Sequence, residues 1–149
     1  MAFAVDKFAI DTNLLIYALD RRDAPKHATA RALLKALAAR DTVLPLHSLA
    51  EFFHVARRKG DLSVTEAAQR VEELQAVFPV VLASAQTLRH AIAGVRDHQL
   101  SFWDAMLWAT TQEAGVTVLF TEDSHDGAVI EGVRFVNPFK HANLREILE

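Results

Sequence analysis

VDKFAIDTNLLIYA, residues 5–18, joins a short apolar, β-branched run to a helix-like apolar pattern, with Asp11 between them. The run Val5–Ile10 is typical of a strand buried in a parallel sheet, and Val116–Phe120 is a second such run. Weaker strand candidates are residues 43–46, 77–82 and 133–136. Because helical patterns separate these runs, we predict an α/β fold, a three-layer α/β/α sandwich with a central, mainly parallel sheet.

Three of the predicted helices form the scaffold. One begins at Asp23 and continues to about Arg40, and a second opens with the capping box Ser63–Glu66. A third runs from Ser84 to about His98. In this last helix we expect four apolar side chains to face the core: Leu88, Ala91, Ile92 and Val95.

Composition limits the class of protein. A chain of 149 residues without a linker or repeat predicts one domain over residues 1–149. It has no cysteine, and we recognise no secretory signal or membrane span, so the cytoplasm is the expected location. The net charge of −3 argues against a protein that coats nucleic acid through bulk positive charge. It leaves open an enzyme whose acidic residues bind a metal that meets phosphate.

Two acids follow the two strongest strands. Asp11 comes directly after Val5–Ile10, and Asp123 stands just after Val116–Phe120. In open α/β sheets the ligand crevice lies beyond the carboxyl ends of the strands, so both acids are candidate site residues. Each also has a structural interpretation, since Asp11 can cap the following helix and Asp123 can belong to a polar turn.

Two further acids lie near helix starts. Asp104 is the only charge in residues 102–109, FWDAMLWA, where a buried ionised carboxylate needs a partner or a metal. Glu51 follows Ser48 and opens an apolar helix. Both acids also fit the last position of a capping box, after Ser101 and Ser48 respectively. Converging carboxylates would suit hard cations such as Mg²⁺ or Mn²⁺, and paired metals can promote phosphoryl displacement.

These residues, taken in order, resemble a PIN-domain ribonuclease, in particular a VapC-like toxin of a bacterial toxin–antitoxin pair. The resemblance spans nearly the whole chain and rests on DTNLLIYA (11–18), LAEF (49–52), FWDA (102–105), TED (121–123), DG (126–127) and NPF (137–139). It implies a parallel-sheet α/β/α fold and Mg²⁺- or Mn²⁺-dependent endoribonuclease activity, with one or two ions per site. It also implies a homodimer and inhibition by a cognate antitoxin protein.

The resemblance also assigns roles to residues. Its acidic quartet matches Asp11, Glu51, Asp104 and Asp123, which would be catalytic and metal-binding. Asn13 and Thr121 match polar positions beside the acids, where we expect them to orient ligands or water. Asp126 would be an additional, water-mediated acid, and Glu122 competes for the role of acid in this loop.

Basic and aromatic residues offer further candidates. Arg57, Arg58 and Lys59, or the pair Arg21–Arg22, would hold RNA phosphates, although cations at helix C-termini have the same pattern. Three large side chains are predicted to be core, with an aromatic platform for bases as the alternative: Trp103, Met106 and Trp108.

Two other functions remain open from the residues. An aspartate-based phosphatase built on Asp11 is disfavoured because Asn13 stands where a second Asp is expected. A binding module with the same fold and little activity is the other alternative. A serine or cysteine nucleophile is not indicated, since the chain has no cysteine and no Gly-x-Ser-x-Gly turn.

Overall fold

The computed structural model describes residues 5–123 and 125–149. Within them the strands are β1 (Phe8–Ile10), β2 (Thr42–Pro45), β3 (Val80–Val81), β4 (Val118–Phe120), β5 (Val129–Ile130) and β6 (Val133–Val136). The helices are α1 (Thr12–Leu19), α2 (Ala24–Leu37), α3 (Leu46–Lys59), α4 (Val64–Val77), α5 (Ala85–His98), α6 (Phe102–Glu113) and α7 (Arg145–Leu148). A 3₁₀ turn covers Pro138–Lys140.

The strands form one sheet in the order β3-β2-β1-β4-β6-β5. All neighbouring strands are parallel except β5 and β6. These two are joined by a two-residue turn, Glu131–Gly132, in which both residues have positive φ, as tight hairpin turns require. Residues 129–130 had not been predicted as a strand. The predicted mainly parallel α/β sheet is confirmed.

Side chains alternate between the two faces of the sheet and divide the core into two layers. Phe8 and Ile10 of β1 belong to the layer formed with α1, α2, α3 and α4. Ala9 belongs to the layer that contains Ala91 of α5 and Trp108 of α6. Helices therefore cover both faces, which confirms the predicted three-layer sandwich.

Several predicted boundaries shift. β1 begins only at Phe8, and Val5, which had been included in the predicted strand, is exposed. The predicted strand 77–82 is shorter, because α4 extends to Val77 and only Val80–Val81 form β3. The capping box at Ser63 is formed, and Ser84 is the N-cap of α5, directly before its first residue. The capping box predicted at Ser48–Glu51 is wrong: α3 starts earlier, at Leu46, and Ser48 is buried inside its first turn.

The predicted inward face of α5 is wrong for three of its four residues. Ala91 is buried, but Leu88, Ile92 and Val95 are exposed. α5 instead packs on α6 through its small residues, and a Cβ added at Gly94 would lie 2.8 Å from Cζ3 of Trp108. The close approach of these two helices leaves no room for larger side chains, so the bulky face turns outward. No helix in residues 5–123 and 125–149 is both long and apolar enough to cross a bilayer.

Candidate active site

Asp11 lies where the register of the sheet places it beside Thr121. Ile10 pairs with Phe120 across β1 and β4, so the residues that follow them meet at the carboxyl edge. The Thr121 hydroxyl donates to Asp11 Oδ2 at 2.9 Å, and the Thr12 N–H donates to Oδ1 at 2.7 Å. Asp11 is therefore the N-cap of α1 and also part of the edge where the crevice was predicted.

The pKa of Asp11 is raised from 3.8 to about 6. Burial of the carboxylate is the largest cause, and the negative charges of Asp123 and Asp104 add to it. The hydrogen bonds from Thr121 and Thr12 oppose the rise without cancelling it. The folded protein thus holds this carboxylate in a place that disfavours its charge.

Asp123 faces the same space from the loop after β4. Asn13 donates to its Oδ2 at 2.7 Å, across the carboxyl edge of the sheet. Partial burial and the charges of Asp104 and Glu122 raise the pKa of Asp123, Asn13 opposes the rise, and Glu51 adds to it. Thr121 and Asn13 thus each donate a hydrogen bond to one of the acids.

Asp104 and Glu51 complete the set from two helices. Asp104 lies in the first turn of α6, where the N-cap Ser101 makes no side-chain capping bond, so the capping interpretation does not hold. Glu51 lies in the second turn of α3 and pairs with His47 Nε2 at 3.3 Å. Sequence reasoning had not placed His47 in the site, although its spacing of four residues from Glu51 was a usable signal.

One cavity of about 420 Å³ is lined by all four acids, Asp11, Glu51, Asp104 and Asp123, together with Asn13. The described residues of its wall include no lysine and no arginine. Four carboxylates thus share a space in which His47, paired with Glu51, is the one basic side chain among the described lining residues. A cation would offset the repulsion between these acids, which adds to the effect of burial in raising the pKa values of Asp11 and Asp123.

The donor set suits a hard divalent cation. Mg²⁺ prefers carboxylate oxygens and water, and it is often held by only one or two carboxylates. Among the described residues no group of three or more His, Asp or Glu side chains is arranged to hold an ion by itself. An ion at this edge would therefore be bound directly by one or two of the acids and take its remaining ligands from water.

The other two acids of the last loop face elsewhere. Tyr17 donates to Glu122 Oε1 at 2.9 Å and Lys26 donates to Oε2 at 2.5 Å. Asp126 accepts the Asn137 N–H at 2.9 Å and lies 3.2 Å from His141 Nε2.

Burial by itself would raise the pKa of Asp126. The hydrogen bonds from Asn137 and His141 outweigh it and keep this pKa below its usual range. Neither Glu122 nor Asp126 lines the acidic cavity, and Asp123 does.

A second groove, of about 640 Å³, shares Asn13 and Glu51 with the acidic cavity and leads to Arg22 and Lys59. Arg22 pairs with Asp20 at 2.7 Å and donates to the Lys59 carbonyl at 3.3 Å. Of the predicted cluster at the end of α3, Lys59 lines this groove. Arg57 and Arg58 are exposed in the same turn, outside the groove lining.

The predicted core aromatics separate into different environments. Trp108 is buried, and its Nε1 donates to the Ile130 carbonyl at 3.1 Å. Met106 is half-buried and lines the acidic cavity. Trp103 contradicts the core prediction: it is 61% exposed and stacks on His47 in the cavity wall. Residues 102–109 are apolar except for Asp104, but the first turn of this helix opens onto the cavity.

Fold and site together define an α/β/α protein with a carboxylate-lined cavity at the carboxyl edge of its parallel strands. The family model described as "PIN domain" matches residues 8–126. The chain belongs to the PIN-domain family, as its motifs indicated. No curated protein matches the chain significantly.

Solved structures share this fold. A toxin–antitoxin complex from Klebsiella pneumoniae is 23% identical, with a TM-score of 0.67, and the match covers 89% of this chain and 98% of that one. VapC20 of Mycobacterium tuberculosis, described as a sarcin-ricin loop cleaving toxin, is 22% identical with a TM-score of 0.62, over 86% and 99%. DNA-bound VapBC from Salmonella typhimurium is 20% identical with a TM-score of 0.63, over 88% and 97%. The PIN-domain architecture of VapC-type toxins is therefore the fold of this chain.

Proposed function

We propose that this protein is a divalent-metal-dependent endoribonuclease and the toxin of a toxin–antitoxin pair. The observation that carries the proposal is the cavity in which Asp11, Glu51, Asp104 and Asp123 meet without a lysine or arginine among the described lining residues. Such a cavity repels a phosphodiester unless cations occupy it. The family supports a nuclease, and the neighbours' descriptions as toxins support the biological role.

The acids would hold one or two Mg²⁺ or Mn²⁺ ions, each bound directly by one or two of the four carboxylates, Asp11, Glu51, Asp104 and Asp123. When bound, such ions lower the pKa of a coordinated water and offset the charge on the reacting phosphate. Thr121 keeps Asp11 in one orientation and Asn13 does the same for Asp123. Fixing ligands through such outer hydrogen bonds is a general feature of metal sites.

The reaction is hydrolysis, in which the oxygen of water forms a bond to phosphorus and one P–O bond of the backbone breaks. The leaving oxygen takes up a proton, and no covalent protein intermediate is needed. The groove towards Lys59 and Arg22 would hold the flanking phosphates, which positions the strand without reading its sequence. RNA is the proposed substrate because VapC20, which shares the fold, is described as cleaving the sarcin-ricin loop.

The proposed partner is a cognate antitoxin, since neighbours with this fold were solved as toxin–antitoxin complexes. Action on RNA as a toxin would take place in the cytoplasm. Gel filtration and calorimetry with the product of a short neighbouring gene would test the partner. Failure of every adjacent small protein to bind or inhibit would contradict the toxin role and leave the nuclease assay unaffected.

A homodimer is also proposed, through the exposed apolar stripe of α5 formed by Leu88, Ile92 and Val95. An exposed stripe of this kind is typical of an interaction surface. Ile92→Glu should convert a dimer to a monomer in sedimentation velocity, whereas Arg89→Glu, on the same helix, should not. A wild-type monomer at micromolar concentration, or a dimer unaffected by Ile92→Glu, would contradict this interface.

The nuclease activity is tested with purified protein and a structured RNA that contains unpaired loops. Cleavage should require Mg²⁺ or Mn²⁺ and stop in EDTA. Asp11→Asn and Asp104→Asn should each reduce the rate at least about a hundredfold while circular dichroism shows a folded protein. Asp97→Asn is the matched control, because Asp97 is exposed and pairs with Arg96 on α5.

Two results would refute the mechanism. One is cleavage that proceeds without metal, and the other is cleavage by the Asp11→Asn, Asp104→Asn double variant. Release of phosphate from a small phosphomonoester, lost in Asp11→Asn, would favour the phosphatase alternative. A folded wild type that binds RNA without cutting it under any metal would favour the binding module.

A further inference from the structure

The indole of Trp103 lies exposed in the wall of the acidic cavity, one residue before Asp104. We propose that Trp103, supported by His47, is the stacking platform for an unpaired RNA base beside the phosphate that is cut. This proposal rests on the proposed function and adds a substrate requirement to it, because only a base that is free of its helix can stack on a side chain.

The Trp103 indole has aromatic neighbours on two sides. The His47 and Trp103 rings lie 5.2 Å apart between centroids and only 4° from parallel, and the Phe102 ring meets Trp103 edge-on at 4.8 Å. Glu51 holds His47 through a 3.3 Å contact to Nε2. The imidazole can cover only one face of the larger indole, which is 61% exposed. A tryptophan side chain has only two rotatable bonds, so it loses little conformational freedom when a ligand stacks on it.

The position of the platform relative to the acids favours a nucleotide as its occupant. Asp104 and Trp103 line the same cavity, so a phosphate beside Asp104 has its neighbouring base near the indole. The cavity volume, about 420 Å³, is in the range of small-molecule sites. On the other side, beyond Asn13 and Glu51, the second groove carries the cations Arg22 and Lys59. The Trp103 side of the acidic cavity thus suits an RNA base, and the groove with Arg22 and Lys59 suits the phosphates of the backbone.

Stacking on an aromatic ring accepts any base, so the platform would contribute affinity and position rather than base identity. It would also distinguish loops and single strands from duplex RNA, in which the bases are stacked on one another. The expected substrate is an RNA with an unpaired nucleotide adjoining the scissile phosphate.

The test uses the Asp11→Asn chain, which keeps the other three acids of the cavity and is expected to bind RNA without cutting it. The Mg²⁺ concentration is raised until it fills the weaker metal site of this variant. The chain has two tryptophans, and Trp108 is only 1% exposed, so a nucleic acid can quench mainly Trp103. A single-stranded oligoribonucleotide should quench the fluorescence, and a fully paired duplex of the same length should quench it much less. Trp103→Phe in the same background should lose the quenching and keep RNA affinity within about threefold.

Trp103→Ala should weaken binding of single-stranded RNA on the order of tenfold. In the active chain the same change should raise KM by a similar factor and change kcat less. Val129→Ala is the matched control, because Val129 is 63% exposed and lies on β5, outside the cavity lining. Circular dichroism of each variant shows whether it is folded.

Three results would overturn the platform. The first is unchanged affinity and KM in a folded Trp103→Ala chain that still needs metal for cleavage, which leaves the nuclease proposal intact. The second is equal quenching by duplex and single strand. The third is conversion of a dimer to a monomer by Trp103→Ala, which would assign the indole to a protein contact. Absence of cleavage by the wild type refutes the nuclease, whereas quenching in the Asp11→Asn chain tests Trp103 separately.

Discussion

Replacing Asp11 by Asn should make the metal-free protein more stable while abolishing its activity. The carboxylate is held where its pKa rises from 3.8 to about 6, which is roughly 2 pKa units. At about 1.36 kcal/mol per unit, the folded state loses up to about 3 kcal/mol by keeping Asp11 ionised at neutral pH. Asparagine has the same shape without the charge. Its oxygen can accept from the Thr12 N–H and its amide can donate to Thr121 Oγ1.

The stability difference between the wild type and Asp11→Asn should depend on pH in a definite direction. Well below pH 3.8 Asp11 is protonated in both the folded and the unfolded chain, so the wild type and Asp11→Asn should be about equally stable there. Between about pH 4 and 6 the unfolded chain releases this proton first, so the stability of the wild type falls relative to the variant. Above pH 6 the difference should stay constant, at up to about 3 kcal/mol in favour of Asn.

Urea denaturation in EDTA from pH 4 to 8 measures this difference directly. A saturating divalent ion at a hundred times its Kd should then stabilise the wild type by about 2.7 kcal/mol and the variant much less. Asp97→Asn, on the exposed surface of α5, serves as the control in both buffers. The reasoning is refuted if Asp11→Asn is the less stable protein at pH 8, or if the difference does not change between pH 4 and 7.

Three further outcomes follow from the packing and the site. Gly94→Ala should lower the free energy of unfolding by about 1–2 kcal/mol in urea denaturation. The added Cβ would lie 2.8 Å from Trp108, and this clash outweighs the gain in helix propensity, which is only about 1 kcal/mol. An unchanged urea midpoint would contradict the close packing. Glu122→Gln should keep the rate of RNA cleavage within about threefold, whereas Asp123→Asn should lower it at least about tenfold. Equal losses in the same assay would show that Asp123 is not the acid of this loop that serves the site. Lys59→Gln should weaken RNA binding for every sequence and lower the slope of log K against log salt by about 1, and an unchanged slope would place the phosphates elsewhere.

Local rules predicted the scaffold because they act over a few residues. Ser63 with Glu66 forms the capping box expected of that spacing, and Val133–Val136 is a strand over the predicted range. The inward face of α5 was not predictable in this way. Hydrophobic periodicity predicts that the bulkiest side chains of the helix face the core. Because α5 and α6 lie so close together, the small residues Ala91 and Gly94 face the core instead.

The site also has a part that the sequence predicts and a part that depends on the tertiary structure. Acids at strand ends are visible in the sequence because parallel strands share a carboxyl edge, and this reasoning led to Asp11 and Asp123. Which acid of the last loop enters the cavity depends on partners far away in the chain. Glu122 is held by Tyr17 and Lys26, and these are 105 and 96 residues distant.

The residues 5–18 thus determined by themselves a buried parallel strand, an acid at its end and a helix that the acid caps. Pairing of Ile10 with Phe120 then decided which side chain meets that acid, namely Thr121. Only the tertiary structure brought the first turns of α3 and α6 together, so that His47 stacks on Trp103 while the indole stays exposed. Hydrophobic pattern and capping are local, whereas the neighbours and charges around a side chain depend on contacts between distant segments, which the tertiary structure alone decides.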